Sequence, residues 1–243
     1  MDRAAVAAGL KDRVDDPNKV RQARTPFCGP AAFIRALAID KPDAYVQAAI
    51  DLFNTGKATI GALKIEPGSV VRGARMPDNI NHADWLMLSS LRDSSNALLT
   101  AADNWWGGVE GPTLPGELAG WFKAAGYTSV ANNACPKTKA LDVNALQILD
   151  ANVYLASKHH VVMFIDSDVL DEDDQDDMLS AWPNHWVTLL APIAHGSTVS
   201  FTNPIAMLIA HWGLTVTIPV NAAKPLQTVH FLNKFYGYVA AKS

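Results

Sequence analysis

The sequence predicts an α+β fold, in which helices come first along the chain and an antiparallel sheet follows. Up to about residue 125, apolar residues recur three and four positions apart, which is the spacing of amphipathic helices. From residue 160 onward, short runs rich in β-branched residues are separated by Gly, Pro and Asn. Because the two patterns are segregated and do not alternate, they favour helices packed on a sheet over a parallel βαβ arrangement.

The predicted helices carry their own start and stop signals. Residues 1–21 are interpreted as a polar leader with a short helix that ends before Pro17. Further helices are marked by Pro in the first turn, where its missing N–H costs nothing, and by Gly after the last turn. These helices are CGPAAFIRALAI from Cys28, PDAYVQAAIDLFNT from Pro42 to a stop at Gly56, residues 82–99, a segment with Thr113 as cap and Gly126 as stop, and ALQILDANVYLASK.

The predicted strands lie in the last part of the chain. They are HHVVMFID, HWVTLLAPI, STVSFTNP, LTVTIPV and FYGYVAA. The residue pattern changes from mainly helical to mainly strand-like after a segment between about residues 127 and 142, YTSVANNACPKTKALD. This change divides a single domain, residues 22–243, into a helical lobe of about 22–140 and a sheet lobe of about 141–243.

Composition argues against several classes of function. A formal net charge of −4 and the lack of a dense basic patch argue against nucleic-acid binding. No uncharged run reaches the roughly 18 residues needed to span a bilayer, and the charged run Lys11-Asp12-Arg13 interrupts the N-terminal apolar stretch. We therefore expect that the protein is synthesised in the cytoplasm and does not insert into a membrane. The two cysteines form no C-x-x-C pair and no H-E-x-x-H motif occurs, so neither a metal nor another cofactor is predicted.

Cys28 stands in QARTPFCGPAAF, directly ahead of a predicted helix. A cysteine acts as a nucleophile only as its thiolate, so its ordinary pKa of about 8.5 must be lowered. Unpaired N–H groups at a helix N-terminus favour negative charge and supply such an effect. The placement predicts an activated nucleophile, although a cysteine at a helix start is more often a small packed apolar residue.

Three further residues complete a catalytic set. His185 opens the predicted strand HWVTLLAPI and Asn203 closes the next one, so antiparallel pairing would bring the two side chains together. The Asn203 amide oxygen would then accept a hydrogen bond from the imidazole and fix its orientation. Gln22, six residues before Cys28, would donate its amide N–H to an oxyanion beside the Cys28 N–H.

These residues resemble the catalytic set of the papain-like cysteine peptidases, and within them the bacterial double-glycine peptidases and the papain-like effector toxins. The resemblance rests on Gln-x5-Cys-Gly before a helix, on His-Trp-Val opening a strand and on Asn-Pro closing the following one. It covers about residues 22–40 and 160–240 and leaves 42–140 unmatched. It implies a helical lobe carrying Cys28, packed on an antiparallel sheet carrying His185 and Asn203. The double-glycine peptidases usually carry Asp at the position of Asn203.

The function that this resemblance implies is a thiol hydrolase that cleaves peptide bonds in a protein or peptide substrate. The same residues would also serve a Gln/Asn deamidase, a transamidase or a cell-wall amidase, and a catalytically idle binding module is a further alternative. An unrestrained protease would endanger its own cell. We therefore expect a bacterial effector or toxin, restrained by an immunity or inhibitor protein and exported by a specialised secretion system into host or competitor cells.

Other polar features are assigned to structure and not to chemistry. The acidic run DSDVLDEDDQDD (166–177) is interpreted as a solvated loop, and the tryptophan pair in DNWWGGVEGP (103–112) as part of the core. Cys135, which precedes Pro136, is assigned a structural or exposed position. The remaining histidines are assigned to strand starts, helices, loops or turns: His82, His159, His160, His195, His211 and His230.

Overall fold

The computed structural model of the chain describes residues 1–23, 25–96, 113–137, 140–170, 183–195, 201–221 and 223–243. Its helices are α1 (Arg3–Asp15), α2 (Cys28–Asp40), α3 (Pro42–Thr55), α4 (Ser69–Gly73), α5 (His82–Asn96), α6 (Pro115–Ala124), α7 (Leu141–Ala156) and α8 (Thr228–Asn233). Its strands are β1 (Ala58–Ile60), β2 (Leu63–Ile65), β3 (Ser129–Asn132), β4 (His160–Ile165), β5 (His185–Leu189), β6 (Met207–His211), β7 (Leu214–Ile218) and β8 (Phe235–Lys242). The predicted α+β class is confirmed. Among the described residues, no helix combines the length and apolar character needed to cross a bilayer.

Local signals place the helices close to their predicted positions. Pro42 and Pro115 occupy the first turns of α3 and α6, and Gly56 ends α3 in a left-handed conformation with a φ of 74°. The cap of α6 differs from the prediction, because Leu114 and not Thr113 is the N-cap residue. The Leu114 N–H donates to the Glu117 carboxylate at 3.2 Å, which satisfies a donor near the helix start.

A six-stranded antiparallel sheet, in the order β3-β8-β4-β5-β6-β7, is formed by described residues, and β1 and β2 form a separate hairpin. The sequence does not predict β3, because SVAN is short, half-exposed and lacks an apolar face. It also misses β6, whose apolar run MLIAH pairs with β5. The predicted strand STVSFTNP forms turns and bends over 201–203, the first residues described after the gap.

The sheet separates two apolar layers. Along β4, Val162 and Phe164 face the layer that contains residues of α1, α2, α3, α5 and α6. Val161, Met163 and Ile165 face the opposite layer, which contains residues of α7 and α8. This alternation is expected of a strand buried on both faces. The large sheet is therefore the middle layer of the fold, and α2 lies on the face that carries the candidate site.

The first helix belongs to the helical layer. Val6 and Leu10 of α1 are buried in the core. The Arg13 guanidinium donates two hydrogen bonds to the fully buried carboxylate of Asp84 on α5, at 3.0 and 2.7 Å. The helix ends before Pro17 as predicted. It packs against the core like the other helices of this layer. Residues 1–21, interpreted from the sequence as a polar leader, therefore contribute buried side chains to this layer.

Candidate active site

Cys28 is the first residue of α2, and its side chain is only 3% exposed. The N-cap residue Phe27 supplies no side-chain hydrogen bond, so backbone N–H groups at the helix start remain available to the thiol. Burial raises the pKa of the Cys28 thiol, whereas the backbone N–H groups of Trp186, Gly29 and Cys28 itself lower it. Because Trp186 follows His185 in β5, the thiol lies beside the start of that strand.

Close packing fixes the start of α2 against this strand. A Cβ atom on Gly29 would lie 2.4 Å from Thr113 Oγ1, so no larger residue fits there unless Thr113 moves. The Thr113 carbonyl accepts a hydrogen bond from Trp186 Nε1 at 2.8 Å. The glycine after the cysteine therefore allows one loop residue to hold both α2 and β5.

His185 opens β5 and is 5% exposed. It pairs with Ile165 of β4, and its ring packs against His211 and Trp212, with centroid distances of 5.9 and 5.4 Å. Its Nε2 atom is buried and has no hydrogen-bond partner among the described residues. Ring packing, and not a hydrogen bond from Nε2, holds this imidazole in the described part of the site.

Gln22 lies in a tight turn before α2 and is 6% exposed. Its Nε2 donates to the Thr25 carbonyl at 3.0 Å, and the Thr25 hydroxyl donates back to the Gln22 carbonyl at 2.5 Å. Ala23, inside the turn, has a positive φ of 52°. One amide hydrogen of Gln22 is engaged by this turn, which leaves the second for another acceptor.

One cavity of about 700 Å³ brings three of the four predicted residues together. Gln22, Cys28 and His185 all border it. Its other walls come from the turn before α2, from the loop before α5, from the segments after β4 and before β5, and from the β6–β7 hairpin: Arg21, Ala23, Thr25, Pro26, Asn79, Ser167, Asn184, Trp212 and Leu214. A thiol, an imidazole and a side-chain amide thus share one concave surface, which is the usual form of a small-molecule or peptide site.

Burial governs the electrostatics of this site. It raises the pKa of the Cys28 thiol, and the three N–H groups and Arg92 offset this only in part. Burial also lowers the pKa of His185 to about 3, with a smaller contribution from His211. The N–H groups at the helix start therefore lower the thiol pKa as predicted, but burial outweighs them and the net shift is upward. A neutral thiol and a neutral imidazole are the stable forms near pH 7.

Asn203 does not lie beside His185. In the register of β5 and β6, Thr188 pairs with Ala210 and Leu189 with Ile209, and the pairing continues to Ala194 and Ala206. Asn203 therefore sits beyond the far end of β5, whose five residues alone span about 13 Å. Its carbonyl accepts hydrogen bonds from the Thr228 N–H and hydroxyl, at 2.9 and 2.7 Å. The prediction fails because the described strand that pairs with β5 is β6 (Met207–His211), which begins after Asn203.

His211 is the residue that the sequence analysis missed. It ends β6, and the strand register puts it on the same face as His185, one diagonal position away. Trp212 and Gly213 form the turn to β7, with positive φ values of 49° and 75°. A short turn that contains Gly between two apolar runs is a hairpin signal, and Gly213 between MLIAH and the predicted strand LTVTIPV could have revealed β6.

The other residues singled out by sequence lie away from this cavity or outside the described residues. His160 Nε2 lies 2.9 Å from Asp40 Oδ2, and His159 Nε2 lies 3.0 Å from Ser129 Oγ. Cys135 is half-buried with a free thiol. The tryptophan pair and positions 171–177 of the acidic run fall outside the described residues. Within the described ranges, no three His, Cys, Asp or Glu side chains gather as metal ligands.

Comparisons of the chain with protein-family models, with curated proteins and with solved structures found no significant match.

Proposed function

We propose that this protein is a thiol hydrolase that cleaves a peptide or other amide bond, with Cys28 as nucleophile and His185 as general base. The observation that carries the proposal is the shared cavity, which is bordered by Cys28 at a helix start, by His185 and by Gln22. The papain-like arrangement of these three residues in the sequence supports the same conclusion. A binding module would have no need for a nucleophile, a base and an amide donor around one cavity.

The proposed reaction proceeds through a thioester. The Cys28 sulfur attacks the carbonyl carbon of the substrate while His185 removes the thiol proton. The N–H of Cys28 and the free amide hydrogen of Gln22 would stabilise the oxyanion that forms. His185 then returns the proton to the leaving amine, and the C–N bond breaks. Water, deprotonated by His185, hydrolyses the thioester and releases the carboxylic acid and the thiol.

The neutral resting pair favours general-base catalysis over a preformed thiolate–imidazolium pair. Both charged forms are disfavoured because the two side chains are buried. Proton transfer to His185 would therefore accompany the attack of the sulfur on the carbonyl. A substrate that fills the cavity and supplies a polar carbonyl would stabilise the charges that develop.

A peptide substrate is favoured within this class. The cavity of about 700 Å³ has apolar walls from Pro26, Trp212 and Leu214 and polar walls from Asn79 and Asn184. An extended chain could place side chains on the apolar walls and backbone groups on the polar ones. Mass spectrometry of exposed proteins separates the alternatives, because a protease creates new termini, whereas deamidation adds about one mass unit.

Acylation by p-nitrophenyl acetate tests the proposal directly. The wild type should release p-nitrophenolate and carry an acetyl group on Cys28, as located by peptide mapping. Cys28→Ala and His185→Ala should each abolish this reaction, and Cys135→Ala should leave it intact because that thiol lies outside the cavity. Acetylation of Cys28 and Cys135 at equal rates would show a merely accessible thiol and would refute the proposal.

We further propose that the protein acts as a bacterial effector or toxin restrained by an immunity-type inhibitor. An active thiol protease would damage the cytosol in which it is made unless its specificity were narrow, an inhibitor filled its cleft or the protein were exported. Expression of the wild type in a bacterial or eukaryotic cytosol should be toxic, and Cys28→Ala and His185→Ala should each relieve the toxicity. Harmless expression at levels matched to these variants in both hosts would instead point to a housekeeping peptidase.

A further inference from the structure

We propose that Asp84 is a positioning residue for the oxyanion site, and that it and α1 together hold the loop that carries Gln22. This inference rests on the proposed function, because it concerns the oxyanion formed when Cys28 attacks a carbonyl. It makes the N-terminal helix a working part of the catalytic domain.

A single buried carboxylate joins three segments of the chain. Asp84, on α5, is fully buried and accepts hydrogen bonds from Arg13 Nε and Nη2 of α1, at 3.0 and 2.7 Å. Its Oδ2 atom also accepts from the backbone N–H of Arg21, at 3.1 Å. Arg21 immediately precedes Gln22, so the carboxylate fixes the backbone from which the glutamine side chain projects.

The cost of burying this charge makes the arrangement specific. An uncompensated buried carboxylate is strongly unfavourable, and its partners must approach with good geometry to offset the desolvation. Burial raises the pKa of Asp84, and the hydrogen bonds from Arg13 and from the Arg21 N–H act in the opposite direction. Loss of either partner leaves the charge poorly satisfied, so the position of the loop and the packing of α1 are coupled.

The same loop is held from its other side by the β6–β7 hairpin. A Cβ atom on Gly213 would lie 2.8 Å from the Cβ of Arg21, so the hairpin tip is in direct contact with the loop. Gln22 is the next residue after Arg21, and it is buried. Because oxyanion donors act only at hydrogen-bond distance from the developing charge, a small displacement of this loop should impair acyl transfer.

Two reactions of the same thiol separate this role from a general structural one. Acylation by p-nitrophenyl acetate passes through a tetrahedral oxyanion. Alkylation by iodoacetamide displaces iodide at a saturated carbon and forms no oxyanion. Gln22→Ala should therefore lower p-nitrophenolate release by roughly 100-fold. Asp84→Asn should lower it by roughly tenfold or more, with the alkylation rate of Cys28 changed less than about twofold.

A double-mutant cycle shows whether Asp84 acts through Gln22. If it does, Gln22→Ala/Asp84→Asn will be no slower than Gln22→Ala alone, whereas independent effects would multiply. Asp40→Asn is the matched control, because it also removes a carboxylate that is hydrogen-bonded to a basic side chain, here His160 at the other end of α2. It should leave the ratio of the two rates unchanged.

The outcomes are distinct. If Asp84→Asn does not fold, as judged by circular dichroism, Arg13→Lys tests the same contact, since it keeps the charge and loses the two-pronged hydrogen bond. A folded variant whose acylation rate is unchanged, or whose acylation and alkylation rates fall equally, would overturn the inference. Lack of Cys28-dependent ester cleavage in the wild type would instead refute the proposed function.

Discussion

His185 and His211 pack edge to face across two adjacent strands, with ring centroids 5.9 Å apart and ring planes at 76°. His185 Nε2 and His211 Nδ1 are both buried without a hydrogen-bond partner among the described residues. The neighbour that constrains the proposed base is therefore a second histidine, which lies beside it because β6 pairs with β5 and ends at His211.

This neighbour should influence activity. We expect His211→Ala to lower Cys28-dependent cleavage of p-nitrophenyl acetate by roughly tenfold, because the His185 ring loses a packing surface and a fixed orientation. Asn203→Ala is the control and should leave the rate unchanged, since the contacts of Asn203 with Thr228 use its backbone carbonyl. A larger loss for Asn203→Ala than for His211→Ala would restore the triad expected from the sequence.

The buried histidine should make stability depend on pH. Burial lowers the pKa of His185 in the folded protein from the ordinary value of 6.5 to about 3. Between these two pH values the unfolded chain therefore binds a proton at His185 that the folded chain does not bind. The stabilisation is complete above about pH 6.5 and is lost as the pH falls towards 3. At about 1.4 kcal/mol for each pH unit, the loss attributable to His185 reaches at most about 5 kcal/mol.

Urea unfolding of wild type and His185→Phe at several pH values between 3 and 7 measures this effect. The variant should lose less stability on acidification than the wild type. His230→Phe, which alters a half-buried histidine of α8, is the matched control. Parallel curves for wild type and His185→Phe would show that His185 is solvated in the folded protein.

The reactivity of the thiol should also reveal its environment. Because burial raises the pKa of Cys28, its alkylation by iodoacetamide in the resting protein should be slow at pH 7 and still increase above pH 9. Rates measured on Cys135→Ala, in which Cys28 is the remaining cysteine, test this. A plateau reached below pH 7 would indicate a preformed ion pair with His185 and would contradict the neutral pair described above.

Packing at the start of α2 should be intolerant of a single methyl group. Gly29→Ala brings a Cβ within 2.4 Å of Thr113 Oγ1, and we expect it to destabilise the protein by about 1–3 kcal/mol. Gly116→Ala, in the first turn of α6, places its methyl in open space and should be neutral or stabilising by up to about 1 kcal/mol. Thermal unfolding of the two variants under one condition compares them. Equal stability would mean that Thr113 moves aside without cost.

The sequence predicts much of the fold because most elements are specified locally. Pro42 and Gly56 bound α3 through backbone preferences that hold in any context, and the apolar run around Val162 marks a buried strand. The strand β6 is missed because it has only five residues, most of them apolar, and a turn follows it directly. A run this short is specified as a strand mainly by the neighbouring strand with which it pairs.

The sequence by itself determined the class of the fold, the helix that begins at Cys28 and the strand that His185 opens, because these depend on spacing and on local backbone chemistry. Only the tertiary structure decided which residue stands beside His185, since strand register is set by long-range pairing and separates Asn203 from it. It also decided the charge state of the site, because the pKa values of Cys28 and His185 depend on how completely the surrounding layers exclude water. Burial of these two side chains depends on how the layers pack together, so it cannot be predicted from any single segment of the chain.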